Sequence, residues 1–321
     1  MSARNKRKQI KQIQKKILLI AAVAFVVICV LVEGLSHMPG TRFRGWSDVF
    51  AWFGLPQPHD TEQGELQVHF IDVGNADCIL VRLDGHNMLI DTGETPREQA
   101  IIDYLDRHEI EKLDLVISTH PHVDHMGAMD AVIRHLPIER FVMSFMPEGK
   151  EPTSSPYMKL LDALEDCDVP VEIATPGTVY DLGDAKVQIL SPLPMDKAIE
   201  DANQISIVSR LTYGEHSFLF TGDAEEDVEE RLVASGYDLR ATVLKVAHHG
   251  SKTSTSPAFL RAVSPQYAVI SCGKNDYGHP NLDVISRLAS VDAQVYRTDV
   301  CGDIVFISNG RDLSVKTARG E

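Results

Sequence analysis

Six consecutive residues, His120-Pro121-His122-Val123-Asp124-His125, carry three imidazoles and one carboxylate directly after the apolar run Leu113 to Ser118. Ordinary packing gives no reason for such a density. Imidazole nitrogen and carboxylate oxygen suit zinc, iron or manganese. Four such groups on so short a segment cannot all reach one ion tetrahedrally, so the spacing predicts two adjacent divalent ions, zinc or manganese. In an extended stretch His120 and His122 point the same way and share one ion, while Asp124 and His125, at the bend, face the other. A lone histidine would be read as solvated; this constellation is read as a metal site.

Strand ends must hold these residues. Apolar runs of strand length cover Glu65 to Ile71, Cys78 to Arg82, Met88 to Ile90, Leu115 to Ser118, Phe141 to Met143, Val187 to Leu190, Ile205 to Leu211, Phe218 to Phe220, Val243 to Val246 and Tyr267 to Ile270. Helical stretches cover Pro96 to Arg107, Met126 to His135, Tyr157 to Glu165, Ala224 to Ser235, Pro257 to Val263 and Leu282 to Ser290. So many strands exceed one open sheet, and two packed sheets with helices outside are expected, an α/β domain over 65–321. Glu148 to Pro156, rich in Pro and Ser, reads as an exposed loop rather than a linker.

Adjacent His248 and His249 follow a strand-like run, Thr242 to Ala247, and strand alternation turns neighbours to opposite faces. At most one is therefore expected to ligate the second ion, the other binding phosphate or a neighbouring side chain. His69 interrupts an apolar strand and reads as a satisfied core histidine. His135 and His216 suit a helix and a hairpin turn. Asp72 and Asp77 flank a Gly turn between strands, where carboxylates close turns.

The amino terminus has another character. Ile17 to Val32 is unbroken apolar sequence, preceded by Arg4, Lys6, Arg7, Lys8, Lys11, Lys15 and Lys16. Flanking residues with snorkelling ends extend it toward a membrane span over 17–36. No small-x-small ending follows it, which favours an uncleaved anchor over a signal peptide. The basic residues 1–16 are expected to stay cytoplasmic, placing an aromatic-bearing stalk (37–64) and the domain outside the cell membrane in a single-pass arrangement.

The His-x-His-x-Asp-His run resembles the signature of the metallo-β-lactamase superfamily of binuclear metallohydrolases, and further matches follow in family order. Leu89-Ile90-Asp91-Thr92-Gly93 looks like the turn whose Asp supports the ligand histidines, and Leu219-Phe220-Thr221-Gly222-Asp223 like the strand whose terminal Asp bridges two ions. Ile71-Asp72-Val73-Gly74-Asn75-Ala76-Asp77, Leu244 to Ser251 and Tyr277-Gly278-His279-Pro280 are similar to the hydrolase domain of ComEC-type competence DNA-uptake proteins and their stand-alone relatives. The resemblance implies an αββα four-layer sandwich with the metals at one edge. It implies one ion on His120, His122 and Asp223, and a second on Asp124, His125, Asp223 and one of His248 or His249. Asp91, Asp72, Asp77 and Asn203 would support from behind. The chain departs from the ComEC pattern at Asn75-Ala76, where Gln-Gly is usual, and in offering no third His for the first ion between the metal run and Asp223. His279 is open to three roles: ligand, acid for the leaving group, or surface residue. Lys252 either holds a phosphate oxygen as a point charge or is simply solvated.

The implied chemistry is hydrolysis by water activated between two divalent ions, Asp124 being central to it and no Ser or Cys nucleophile being required. A phosphodiester, in DNA or a cell-envelope polymer, is the first expectation for the substrate. A carboxylic ester, thioester or β-lactam, and a non-catalytic membrane-tethered binding module, are the alternatives. The chain carries −15 overall, and its first sixteen residues hold seven cations and no acid, so the remainder is more acidic still. Such a surface repels a long polyanion, and no extensive nucleic-acid groove is expected. Five scattered cysteines argue against a disulfide-dependent fold, with Cys272 and Cys301 the one pair open to bridging.

Overall fold

The computed structural model describes residues 64–195 and 198–320. The expected membrane span, 17–36, lies outside the described residues, and among those described no helix is long and apolar enough to cross a membrane. The chain lays down β1 (Leu66–Phe70), β2 (Ile79–Leu83), β3 (His86–Ile90), β4 (Leu115–Ser118), β5 (Phe141–Met143) and β6 (Val171–Ile173) in one sheet. It then builds a second from β7 (Val179–Leu182), β8 (Ala185–Ile189), β9 (Ser209–Tyr213), β10 (His216–Phe220), β11 (Val243–Lys245), β12 (Tyr267–Ile270) and β13 (Gln294–Arg297). β14 (Ile304–Ser308) and β15 (Leu313–Thr317) return to the first sheet, giving the orders β15-β14-β1-β2-β3-β4-β5-β6 and β13-β12-β11-β10-β9-β8-β7.

Three apolar layers make this a four-layer αββα sandwich. Between the sheets, Val68, Phe70, Val81 and Ile90 meet Val187, Leu211, Phe218 and Phe220. The outer face of the first sheet (Leu80, Leu89, Val116) is covered by α1 (Glu98–Arg107), α3 (Met129–His135) and α4 (Ser155–Asp166), with the single turn α2 (Val123–Met126) preceding α3. The outer face of the second (Leu219, Leu244, Ala268) is covered by α5 (Glu226–Ala234), α6 (Pro257–Val263) and α7 (Leu282–Ala289), and a last turn, α8 (Thr298–Cys301), leads into β14. Central strands buried on both faces read in sequence as continuous apolar runs, which is why they are legible there.

Two expectations are corrected, and the cysteine question is answered. Met126 to His135 is not one helix: α2 ends at Met126, and Ala128 leaves helical geometry (φ −109, ψ 12) before α3 begins. The stretch Ile205 to Leu211 is not one strand. Asp201 accepts from Asn203 N and Gln204 reaches back to the Asp201 amide, closing a 3-10 turn over Ala202–Ile205, and β9 starts only at Ser209. Cys272 and Cys301 are not bridged; Cys78, Cys167, Cys272 and Cys301 are free, and the Cys272 thiol donates to Asp299 Oδ1 at 3.3 Å. Strands β6, β7, β13, β14 and β15 have no counterpart among the predicted ones.

The described chain enters at Gly64, whose N–H donates to Asp84 Oδ1 (2.8 Å) and whose carbonyl accepts from the Tyr213 hydroxyl (2.7 Å). Asp84 lies in the β2–β3 turn, at the end of the sheets away from the carboxyl ends of β3 and β4.

Candidate metal centre

Parallel pairing gathers chemistry at one edge. β3 and β4 run parallel, as do β10, β11 and β12, so their carboxyl ends emerge together. Asp91 follows β3, the run from Thr119 to His125 follows β4, Asp223 follows β10, His248 and His249 follow β11, and the loop to His279 follows β12. The two sheets are joined here: Ile207 N donates to Thr119 O (2.9 Å), and Gly222 (φ +50) passes so near Thr119 that a Cβ would lie 3.1 Å from Thr119 Cβ. A side chain at 222 would be strained and crowded.

Asp223 sits at the meeting point. Its Oδ2 faces His120 Nε2 (3.9 Å) and His248 Nε2 (3.6 Å), while its Oδ1 faces His125 Nε2 (3.2 Å) and His249 Nε2 (3.9 Å). His122 Nδ1 lies 3.0 Å from His120 Nε2, and Asp124 Oδ2 3.2 Å from His249 Nε2. Two sets of ligand atoms converge within 4.8 Å: His120, His122 and Asp223; and Asp124, His125, Asp223 and His249. Asp77, Asp91 and His125 converge behind the second.

The supporting contacts explain each orientation. Asp91, held at φ +56, accepts from Thr119 N (2.8 Å) and Oγ1 (2.7 Å) and pairs with His125 Nδ1 at 2.7 Å, turning Nε2 toward Asp223. His249 Nδ1 donates to Ser271 O (2.9 Å), turning its Nε2 the same way. Asp77, 3.6 Å from His249 Nδ1, is paired with fully buried Lys245 at 2.6 Å. His248 Nδ1 pairs with Glu225 Oε1 at 2.9 Å, and that oxygen also accepts from Thr253 Oγ1 (2.8 Å).

Electrostatics favour a cation in this cluster. Burial, and then neighbouring His125, push His120 well below the usual imidazole range, leaving it neutral with a lone pair to offer. Burial works the same way on His125, but Asp223 and Asp91 outweigh it and raise its pKa well above that range. Asp223 is buried too, yet His125 and His249 hold it well below the ordinary carboxylate value. Asp124 is lowered against burial by its bond to His249 and by His125. Buried carboxylates are thus drawing whatever positive charge the protein offers.

The residues fit divalent metal. His125 Nε2 and Asp223 Oδ1 are buried, face each other and have no hydrogen-bond partner among the described residues, although an orphaned buried polar atom costs free energy. A shared ion satisfies both, and the nitrogen and oxygen donors match zinc or manganese.

Adjacent His248 and His249 both face Asp223, because the backbone does not stay extended: both are left-handed (φ 48 and 51) in a tight turn after β11. The alternation rule does not apply there. His249 is buried within the second ligand set, whereas His248 lies on the Asp223 Oδ2 side and lines a cavity. That cavity, of about 640 Å³, is also lined by Asn75, Glu94, His122, Asp124, Lys274, Asn275, Tyr277 and His279. His279 Nδ1 is buried there without a hydrogen-bond partner among the described residues; burial, then His248 and His249, push its pKa down. Lys252 is exposed and is not among the residues lining the cavity. Asp72 turns away, bonded to Arg319 at 2.8 Å. Asn203 is buried behind Glu225, to which its side chain hydrogen-bonds. His135 pairs with Asp106 and His216 with Ser308, both away from the centre, and His69 bonds Tyr104 and Gln67. Sequence reasoning passed over Glu225, Lys245, Lys274 and Asn275. Of these only Asn275 carried a local signal, an Asn in a Gly-containing loop.

Residues 71–274 match the family model described as Metallo-beta-lactamase superfamily. The chain is 32% identical over 263 residues to ComE operon protein 3 of Bacillus subtilis (strain 168), covering 75% of this chain and 33% of that protein. It is 30% identical over 293 residues to competence protein ComA of Neisseria gonorrhoeae, covering 90% and 38%. The chain therefore spans little more than a third of the length of these relatives. Among solved structures it is similar to the metallo-beta-lactamase fold protein YhfI of Bacillus subtilis (TM-score 0.50, 12% identity, 76% of this chain and 100% of that one). It is equally similar to CmlA, a diiron beta-hydroxylase of Streptomyces venezuelae (TM-score 0.50, 14% identity, 80% and 58%). At such identities the likeness is one of fold.

Proposed function

The chain belongs to the metallo-β-lactamase superfamily and is related to ComEC-type competence proteins, and from that premise we propose that it is a membrane-anchored, binuclear metal-dependent phosphodiesterase. The observation that carries the reading is Asp223, whose two carboxylate oxygens face different histidines and whose carboxylate belongs to two separate sets of converging ligand atoms. The fold alone does not choose the reaction, so the argument rests on these groups.

His120, His122 and Asp223 would hold one divalent ion, zinc or manganese, and Asp124, His125, Asp223 and His249 the other. Bound there, such ions supply Lewis acidity and lower the pKa of water. His248, steadied by Glu225, and His279, whose Nδ1 has no partner among the described residues, line the cavity where a phosphoryl group would sit, and each would hydrogen-bond one of its oxygens. Lys274 adds a positive charge at the same wall. Asp91 holds the His125 Nδ1 proton, fixing the tautomer that leaves Nε2 free. The phosphodiester assignment draws on the competence relatives and on this imidazole-lined wall with its one lysine, Lys274. Residues 17–36 would anchor the chain, with 1–16 cytoplasmic and the hydrolase domain, 65–321, extracytoplasmic.

Metal analysis together with assays on bis-p-nitrophenyl phosphate, nitrocefin and a thioester tests the reading. Two equivalents of metal and hydrolysis of the first substrate, abolished by Asp124→Ala and Asp223→Ala, are expected. Hydrolysis of only nitrocefin or the thioester would move the substrate class. Metal-loaded protein inert on all three would favour a binding module. Protease treatment of intact cells should digest the domain; protection would reverse the orientation.

A further inference from the structure

We infer that Tyr277 is a stacking platform for a nucleobase beside the scissile phosphate, so that the substrate is a single-stranded nucleic acid gripped at one nucleotide; this rests on the phosphodiesterase reading above. Tyr277 lines the same cavity as His122, Asp124, Asp223, His248 and His249, yet it is 80% exposed. A ring so open contributes little to packing.

Its backbone is nonetheless fixed. Asn275 Oδ1 accepts from Tyr277 N and His279 N, both at 3.0 Å, while Asn275 Nδ2 donates to Gly273 O (2.8 Å) and His279 O (2.7 Å). One buried-side amide thus holds the whole loop at the mouth of the centre. The Tyr277 ring lies tilted by 33° against His279 at 5.8 Å between centroids, and His279 meets His248 edge-on at 5.4 Å. A file of rings runs from the ligands to the rim. A phosphodiester seated on the ligands carries its neighbouring base outward along that file, where the exposed face of Tyr277 is the flat surface available to it.

Charge points the same way. Lys274 is the only lysine or arginine among the lining residues, and Glu94 and Asp276 share the wall with it. A chain this acidic cannot hold a strand through a long basic groove. Stacking supplies grip without charge, tolerates any base sequence, and requires a base that is not already stacked in a duplex.

The test uses the full chain, solubilised and metal-loaded, on a single-stranded oligodeoxynucleotide and on one of identical backbone with abasic positions. The wild type is expected to prefer the base-bearing strand about tenfold or more in kcat/KM, mainly through KM, within the range that one base–aromatic contact provides. In Tyr277→Ala that ratio should fall toward one, and in Tyr277→Trp it should return. A ratio unchanged in Tyr277→Ala overturns the platform. An uncleavable phosphorothioate strand carrying 2-aminopurine reads stacking without catalysis: its fluorescence should be quenched by the wild type and not by Tyr277→Ala. Quenching without cleavage would remove the phosphodiesterase reading and leave the platform standing, and equal quenching by both proteins would overturn the platform.

Discussion

The two ligand sets share Asp223 but are built differently. Around His125 and His249 every support is buried: Asp91 is fixed by the Thr119 amide and hydroxyl, His249 by a main-chain carbonyl, and Asp77 by Lys245. Around His120 and His122 the wall opens. His122 lines the cavity, and His248 depends on Glu225, a carboxylate at the surface of a second, acidic hollow that includes Glu226, Asp227 and Glu230. Under the proposed metal-bound reading, the set with the more deeply buried supports would keep its ion the more firmly, although its Asp124 and His249 line the same cavity as His122. Retention and turnover would thereby be divided between two halves of one centre.

Three substitutions can break that division. Asp223→Asn strikes both halves, and activity on bis-p-nitrophenyl phosphate should fall roughly 10³-fold, the upper scale for removing one group that stabilises a transition state. Metal content should drop at both positions, and loss of a single equivalent would show that Asp223 is not shared. Asp91→Asn strikes only the enclosed half; one ion should bind about 10- to 100-fold more weakly while the other is retained, as read by chelator titration. Glu225→Gln strikes only the open half and should lower kcat by a factor of roughly ten with both metals in place, the small end of what an orienting partner contributes. Equal metal loss in the last two variants would erase the distinction.

Glu229 is the control, a buried carboxylate on α5 that lies six residues beyond Asp223 but belongs to neither ligand set. It accepts from Thr255 N and from Ser256 N (2.7 Å), just before α6. Glu229→Ala orphans both amides and should cost about 2 to 4 kcal/mol in chelator-treated protein by denaturant unfolding, leaving metal stoichiometry at two. Burial raises its pKa, so what it contributes to stability is fullest below the ordinary glutamate value and declines as pH climbs through the raised one. The gap between variant and wild type should accordingly be widest in acid.

Legibility in the sequence followed the range of the interactions. His120 to His125 and Asp223 stand in short local runs at the ends of fully buried strands, so both their chemistry and their place could be read. His248 and His249 could not be assigned, because alternation presumes an extended backbone and theirs is left-handed. Lys245 looked like one more residue of an apolar strand. Its meaning depends on Asp77, a partner 168 positions earlier that only the fold brings to 2.6 Å. Lys252 drew attention by lying next to the His-His-Gly-Ser run, whereas Lys274, without a motif, is the lysine that reaches the wall. Edge strand β6 escaped notice because two of its three residues, Val171 and Ile173, are exposed and no core pattern forms.

The pinning of Gly64 beside the Asp84 turn carries a final consequence. That hydrogen bond lies at the back of the sandwich, at the ends of the strands that bear no ligands. Were the preceding residues a tether, as proposed, load would enter the folded domain at its handle and not at its jaws. Strain delivered there would fall first on the β2–β3 hairpin turn, at the opposite end of the strands from the carboxyl ends of β3 and β4 that lead to Asp91 and to His120 to His125.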